Sequence, residues 1–192
     1  MSFFEMSYED KNIKWFVLFA ANTKAAKISD YFKSTTDIEY FYPMSYQKRR
    51  LRNSERTKQF LRPIFRNLLF VKSTKSELDP ILRAIKLKFG ITSDLYYRYR
   101  DGEESKIIVV PAAEMRSFIS IVGAVEEPII YFSNNDVNLA KGTRVLINEG
   151  VFTGVEGIFI RVKGDRRVVV SLPNLFSVAT SFVPLEYLLP LE

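Results

Sequence analysis

Near residue 135 the spacing of the apolar residues changes, and one continuous architecture cannot serve both sides of that change. Upstream, Ala25, Ile28 and Phe32 recur at helical spacing, as do Leu78, Ile81, Leu82 and Ile85, and then Met115, Phe118, Ile119 and Val122. Downstream the period is two, carried by Val145 and Ile147, by Ile158, Ile160 and Val162, and by Val168, Val170 and Leu172. A chain of 192 residues is long enough for two small domains.

The first unit reads as α+β. Lys14–Ala20 contains Trp15, Phe16, Val17, Leu18 and Phe19 in one run, which marks a strand covered on both faces. Asn22 or Thr23 can cap the helix that follows. Ile38–Tyr42 and Leu68–Val71 read as further strands, with a basic stretch between them. Ser76, with Asp79 three residues on, predicts the start of the second helix, and Gly90 its end. Asp101-Gly102 predicts a tight turn between strands at Leu95–Arg100 and Lys106–Val110. Pro111 and Gly123 bracket the third helix. The expected order is βαβ(β)βαββα. Glu126-Glu127-Pro128 and Ser133-Asn134-Asn135-Asp136 have the composition of a connection. The expected division is therefore residues 1–125, a linker at 126–138, and a small β-barrel at 139–192, with reversals at Lys163-Gly164-Asp165-Arg166 and at Pro173-Asn174.

Composition removes most chemistry. The chain has no cysteine and no histidine, so disulfides, thiolate nucleophiles, the Ser-His-Asp arrangement and the usual zinc sites are excluded. Its carboxylates are scattered, which leaves no catalytic, metal or cofactor site to name and favours binding over catalysis. No apolar run is long enough to span a bilayer and no export signal is visible, so a cytoplasmic monomer is expected.

The net charge of +6 is unevenly distributed. Residues 141–192 hold six basic and five acidic residues, which leaves +5 on residues 1–140. Within that part Lys48, Arg49, Arg50, Arg52, Arg56, Lys58, Arg62 and Arg66 face only Glu55. A solvated loop is the ordinary reading of such a run, but eight mutually repelling cations in nineteen residues favour an anionic partner, DNA or RNA. Lys86 and Lys88 are candidates to extend that surface. Tyr96, Tyr97 and Tyr99 have the residue type for base stacking, although alternating aromatics in a strand are commonly structural.

Val145–Ile158 resembles the KOW motif: an apolar strand, Gly-x-Phe-x-Gly-x-x-Gly spanning Gly150, Phe152, Gly154 and Gly157, and a second apolar strand. Val151 replaces the proline common there. Phe152 either tips the loop for a partner or plugs the barrel end. Trp15–Leu18, Tyr42-Pro43, Pro63–Val71 and Val110-Pro111 with Glu114-Met115 resemble, in order, elements of the NusG family of transcription elongation factors. The resemblance implies an N-terminal NGN domain that docks on the clamp helices of RNA polymerase through Phe19, Phe65, Leu68 and Phe70. It also implies proximity to non-template DNA or nascent RNA, and a KOW barrel that recruits Rho or the ribosomal protein NusE. Leu68 where the family usually has tyrosine, and Arg66 where it usually has proline, point to a specialised paralogue of the UpxY or RfaH type acting on surface polysaccharide operons.

A ribosome-associated or free RNA-binding KOW protein is the rival reading, and it expects basic residues on the barrel. A carboxylate-dependent nuclease is a distant third. The run Val168-Val169-Val170 and the alternating strands predict that a fragment of residues 140–190 gives a sheet-type circular-dichroism spectrum. A helical spectrum would contradict this.

Overall fold

The computed structural model describes residues 12–21, 24–50, 57–124, 129–132, 142–162 and 164–191, with the side chains of 47–50 and 162 set aside. The first-helix cap expected at Asn22 or Thr23 lies outside the described residues.

β1 (Lys14–Phe19) is the central strand, flanked by β5 (Leu68–Ser73) on one side and β8 (Val109–Val110) on the other. β2 (Tyr40–Phe41) pairs with β5, which gives an antiparallel sheet of order β2-β5-β1-β8. Successive side chains of a strand leave on opposite faces. Phe16, Leu18, Leu69 and Val71 therefore enter one core with Ala25, Ile28 and Phe32 of α1 (Lys24–Thr35) and Leu78, Leu82 and Ile85 of α2 (Lys75–Phe89). Trp15, Val17, Leu68 and Phe70 enter the other, against Met115, Phe118, Ile121 and Val122 of α3 (Ala112–Gly123).

The cap of α2 differs from expectation. Thr74, not Ser76, is the N-cap: its hydroxyl accepts from the Glu77 N–H, and the Glu77 carboxylate accepts from the Thr74 N–H and the Ser73 hydroxyl. These bonds hold the Glu77 carboxyl below its ordinary pKa. Asp79 instead accepts from Lys75 and from the Tyr96 hydroxyl, at 2.7 Å each.

Between β2 and β5 the basic stretch forms a hairpin, β3 (Met44–Arg50) and β4 (Thr57–Pro63), standing as its own two-stranded sheet. A second hairpin, β6 (Arg98–Asp101) and β7 (Glu104–Ile107), turns through Gly102. Its strands are shorter than predicted because the backbone of Leu95, Tyr97 and Ile108 bonds to β1: the Phe19 N–H donates to Leu95, the Tyr97 N–H to Val17 and the Val17 N–H to Ile108.

The C-terminal part is a six-stranded antiparallel sheet of order β14-β10-β11-β12-β13-β9. Its strands are β9 (Ile130–Phe132), β10 (Thr143–Ile147), β11 (Glu156–Val162), β12 (Asp165–Leu172), β13 (Phe176–Ala179) and β14 (Leu188–Pro190), the last preceded by a 3-10 turn at Leu185–Tyr187. β9 falls inside the stretch read as a linker and pairs with β13. Val162 pairs with Asp165, so that reversal closes one residue earlier than the turn chemistry implied. Overall the chain is α+β, as its periodicities require.

Gly157 stands where β11 meets β12, and a Cβ there would lie 2.6 Å from the Val169 carbonyl oxygen. Backbone cannot yield as a side-chain tip can, so Gly157→Ala is expected to cost about 1 to 3 kcal/mol. The check is a lower urea midpoint at unchanged slope; an unshifted midpoint would mean that the strands separate freely.

Candidate functional site

The four aromatic and aliphatic residues expected to form an open docking face are not equivalent. Phe19, at the end of β1, is half-buried and stacks on Tyr97, with ring centroids 5.3 Å apart. Phe70 is fully buried, between Phe118 at 5.5 Å and Phe41 at 6.4 Å, and Leu68 is buried beside it on the same face. The expectation that Leu68 and Phe70 are outward-facing is corrected: Phe41 and Phe118 belong to the N-terminal unit and seal Phe70 from within it.

Phe65 is held differently. It sits in the turn entering β5, where the Ile64 N–H donates to the Pro43 carbonyl and the Ala20 N–H to the Asn67 carbonyl, both at 2.9 Å. Its ring meets the C-terminal sheet: Phe176 lies 4.4 Å away and Tyr131 5.5 Å away between centroids. Phe118 continues this contact, 5.6 Å from Phe176. The C-terminal sheet thus covers the part of the N-terminal face that carries Phe65 and α3. One polar bond crosses the same boundary, from the Glu156 N–H to the buried Ser117 hydroxyl at 3.0 Å. The Tyr131 hydroxyl is buried without a partner among the described residues, and burial pushes its pKa up to about 12.

The basic surface divides between two elements. In the hairpin the backbone pairs Lys48 with Gln59, Arg49 with Lys58 and Arg50 with Thr57. Arg52 and Arg56 lie outside the described residues, as do the side chains of Lys48, Arg49 and Arg50. On β4, Lys58 and Arg62 are exposed and flank the half-buried Phe60, at 5.8 Å and 6.0 Å from its ring centroid. Lys86 and Lys88 stand in the last turn of α2, with the Lys88 ammonium 4.8 Å from the Tyr31 centroid. Phe60 was missed in the sequence; its position two residues from a cation on either side was the available signal.

The tyrosines after α2 serve packing. The Tyr96 hydroxyl donates to Asp79, and desolvation together with that carboxylate raises its pKa; Tyr97 is taken by Phe19. In the glycine-rich loop Gly150 and Gly154 adopt φ of 81° and 86°, a region that favours glycine. They turn Phe152 inward: it is only 4% exposed and joins the core, so it plugs the fold instead of tipping the loop. Val151, 67% exposed, takes the outer position. Among the described residues no group of three or more potential metal ligands forms, and no helix is long and apolar enough to cross a membrane.

A family model described as the transcription termination factor nusG matches residues 13–119, which run from the residue before β1 into α3. The chain belongs to the NusG family. Proteins of this family are non-enzymatic transcription factors that bind RNA polymerase. No curated protein matches the chain. The match covers the sheet, the basic hairpin and Phe65, while the C-terminal sheet lies beyond it.

Ser117→Ala leaves the part-buried Glu156 N–H without its acceptor, a loss of about 1 to 3 kcal/mol. Hydrogen exchange at Glu156 is expected to accelerate by about 5- to 150-fold, with Val17 in central β1 unchanged. Equal protection at Glu156 in both proteins would mean that the two units do not rest on this bond.

Proposed function

We propose that this NusG-family protein is an elongation or antitermination factor whose N-terminal unit docks on the RNA polymerase clamp helices around Phe65, and whose C-terminal unit both covers that position and recruits a second partner. The contact of Phe65 with Phe176 and Tyr131 carries the reading, because the rings that this side chain of the N-terminal unit meets belong to a separate sheet. Uncovering it would present an aromatic anchor, and burial of one such side chain contributes about 1.5 to 3 kcal/mol. Phe19 and α3 would border the contact, with Leu68 and Phe70 supporting it from beneath.

The C-terminal sheet, with its glycine loop at Gly150, Gly154 and Gly157, is read as the KOW barrel. Val151, in place of Phe152, is its outermost apolar group, and the partner classes considered are Rho and ribosomal protein NusE. Lys48, Arg49, Arg50, Arg52, Arg56 and Lys58, with Lys86 and Lys88 on α2, would contact non-template DNA or nascent RNA. The departures at Leu68 and Arg66 support a specialised UpxY- or RfaH-type factor for surface polysaccharide operons, acting in the cytoplasm. A ribosome-associated RNA-binding role is less favoured, since the positive charge lies mainly outside the C-terminal sheet.

The test is recovery of core polymerase by the wild-type chain, by Phe176→Ala and by Phe176→Ala combined with Phe65→Ala. Loss of one aromatic contact, about 0.5 to 1.5 kcal/mol beyond its area, should release the cover and raise recovery several-fold. Adding Phe65→Ala should cancel that gain. Equal recovery by all three proteins would remove the proposed docking position.

A further inference from the structure

We infer that the Lys58–Phe60–Arg62 face of the hairpin is a stacking site for an unpaired nucleobase, so that the hairpin binds single-stranded nucleic acid in preference to duplex. The inference rests on the nucleic-acid reading above and specifies its ligand. On β4 these three residues alternate with Gln59 and Leu61, so they share one face of a two-stranded ribbon. That ribbon belongs to neither large sheet. Lys58 and Arg62 are exposed, and each lies within about 6 Å of the ring.

Charge alone does not account for this arrangement. A duplex offers phosphates to a basic ribbon and keeps its bases stacked inside, so Phe60 would be idle against it. An unpaired strand offers both groups at once: a base face for the ring and phosphates on either side for the cations. The strand rise sets the Lys58 and Arg62 Cα atoms about 13 Å apart, and both charged ends lie over the ring between them, so a base that stacks there takes their place on the ring while the cations turn to its phosphates. The ring's partial burial keeps it fixed in place, and the flanking cations repel each other until an anion arrives. The opposite face of the ribbon carries the exposed pair Tyr46 and Leu61, which face each other across the ladder and have no flanking cation on β4. Along β4 itself the two faces differ, Phe60 standing between Lys58 and Arg62 and Leu61 between Gln59 and Pro63, and Leu61 supplies an internal control for the integrity of the hairpin.

The experiment measures binding of the full chain, by fluorescence anisotropy at low salt, to four probes: single-stranded DNA, single-stranded RNA, and duplexes of each. Phe60→Ala is expected to weaken the single-stranded probes by about 5- to 150-fold, the range for one base stacked on an aromatic ring, and to leave the duplexes within twofold. Phe60→Tyr should retain binding. Leu61→Ala, on the other face of the same strand, should leave all four probes unchanged. The better-bound single strand identifies the source as DNA or RNA. If Phe60→Ala changes nothing while Lys58→Gln with Arg62→Gln weakens every probe alike, the stacking site is overturned and the phosphate-binding hairpin stands. If the wild-type chain binds no probe, both fall. Parallel weakening by Leu61→Ala and Phe60→Ala would also overturn the proposal, as the sign of a collapsed hairpin.

Discussion

A four-stranded sheet whose central strand reads Lys14-Trp15-Phe16-Val17-Leu18-Phe19 must be covered on both sides, and the rest of the molecule follows from how that is done. α1 and α2 lie over one side and take up Phe16, Leu18, Leu69 and Val71. The other side has only α3, whose twelve residues extend about 18 Å. α3 reaches Phe70 and Phe41 through Phe118, but the turn bearing Phe65 is covered by the C-terminal sheet. The line along which this side of the sheet passes from its own helix to the C-terminal sheet is therefore set by the reach of one short helix.

How much of this could be read in advance depended on whether each segment is buried by its own neighbours. Ala25, Ile28 and Phe32, or Leu78, Leu82 and Ile85, are buried by adjacent elements, so their spacing announces their helices. β4 is largely exposed, and the sequences of β3 and β4 carry cations where an alternating apolar pattern would stand. β9 is three residues long between turn-forming stretches, and its partner Phe176–Ala179 lies far downstream. The capping error was of another kind: Thr74 and Ser76 are both competent caps, and the bond from Glu77 back to the Thr74 N–H decides between them.

For the candidate site the limit was sharper. Residue type separated Phe19, Phe65, Leu68 and Phe70 from polar neighbours, but all four look alike in one dimension. Only the identity of each ring's partner separates them: Phe41 and Phe118 for Phe70, Tyr97 for Phe19, Phe176 and Tyr131 for Phe65. Phe152 posed the same ambiguity and resolved inward, because the two left-handed glycines of its loop return the chain over the end of the sheet.

The boundary between the two units joins buried apolar residues of both to a few polar groups. Its aromatic pairs each add of order 1 kcal/mol beyond area burial, a backbone-to-hydroxyl bond crosses it, and the Tyr131 hydroxyl within it has no partner among the described residues. An unsatisfied buried hydroxyl costs about 1 to 3 kcal/mol, comparable to what one aromatic pair contributes. The basic hairpin belongs to the same N-terminal unit as Phe65 but to a separate ribbon, and its Phe60 ring meets two cations of its own strand. On the proposed function, nucleic acid captured there would raise the effective concentration of the docking position at a nearby polymerase.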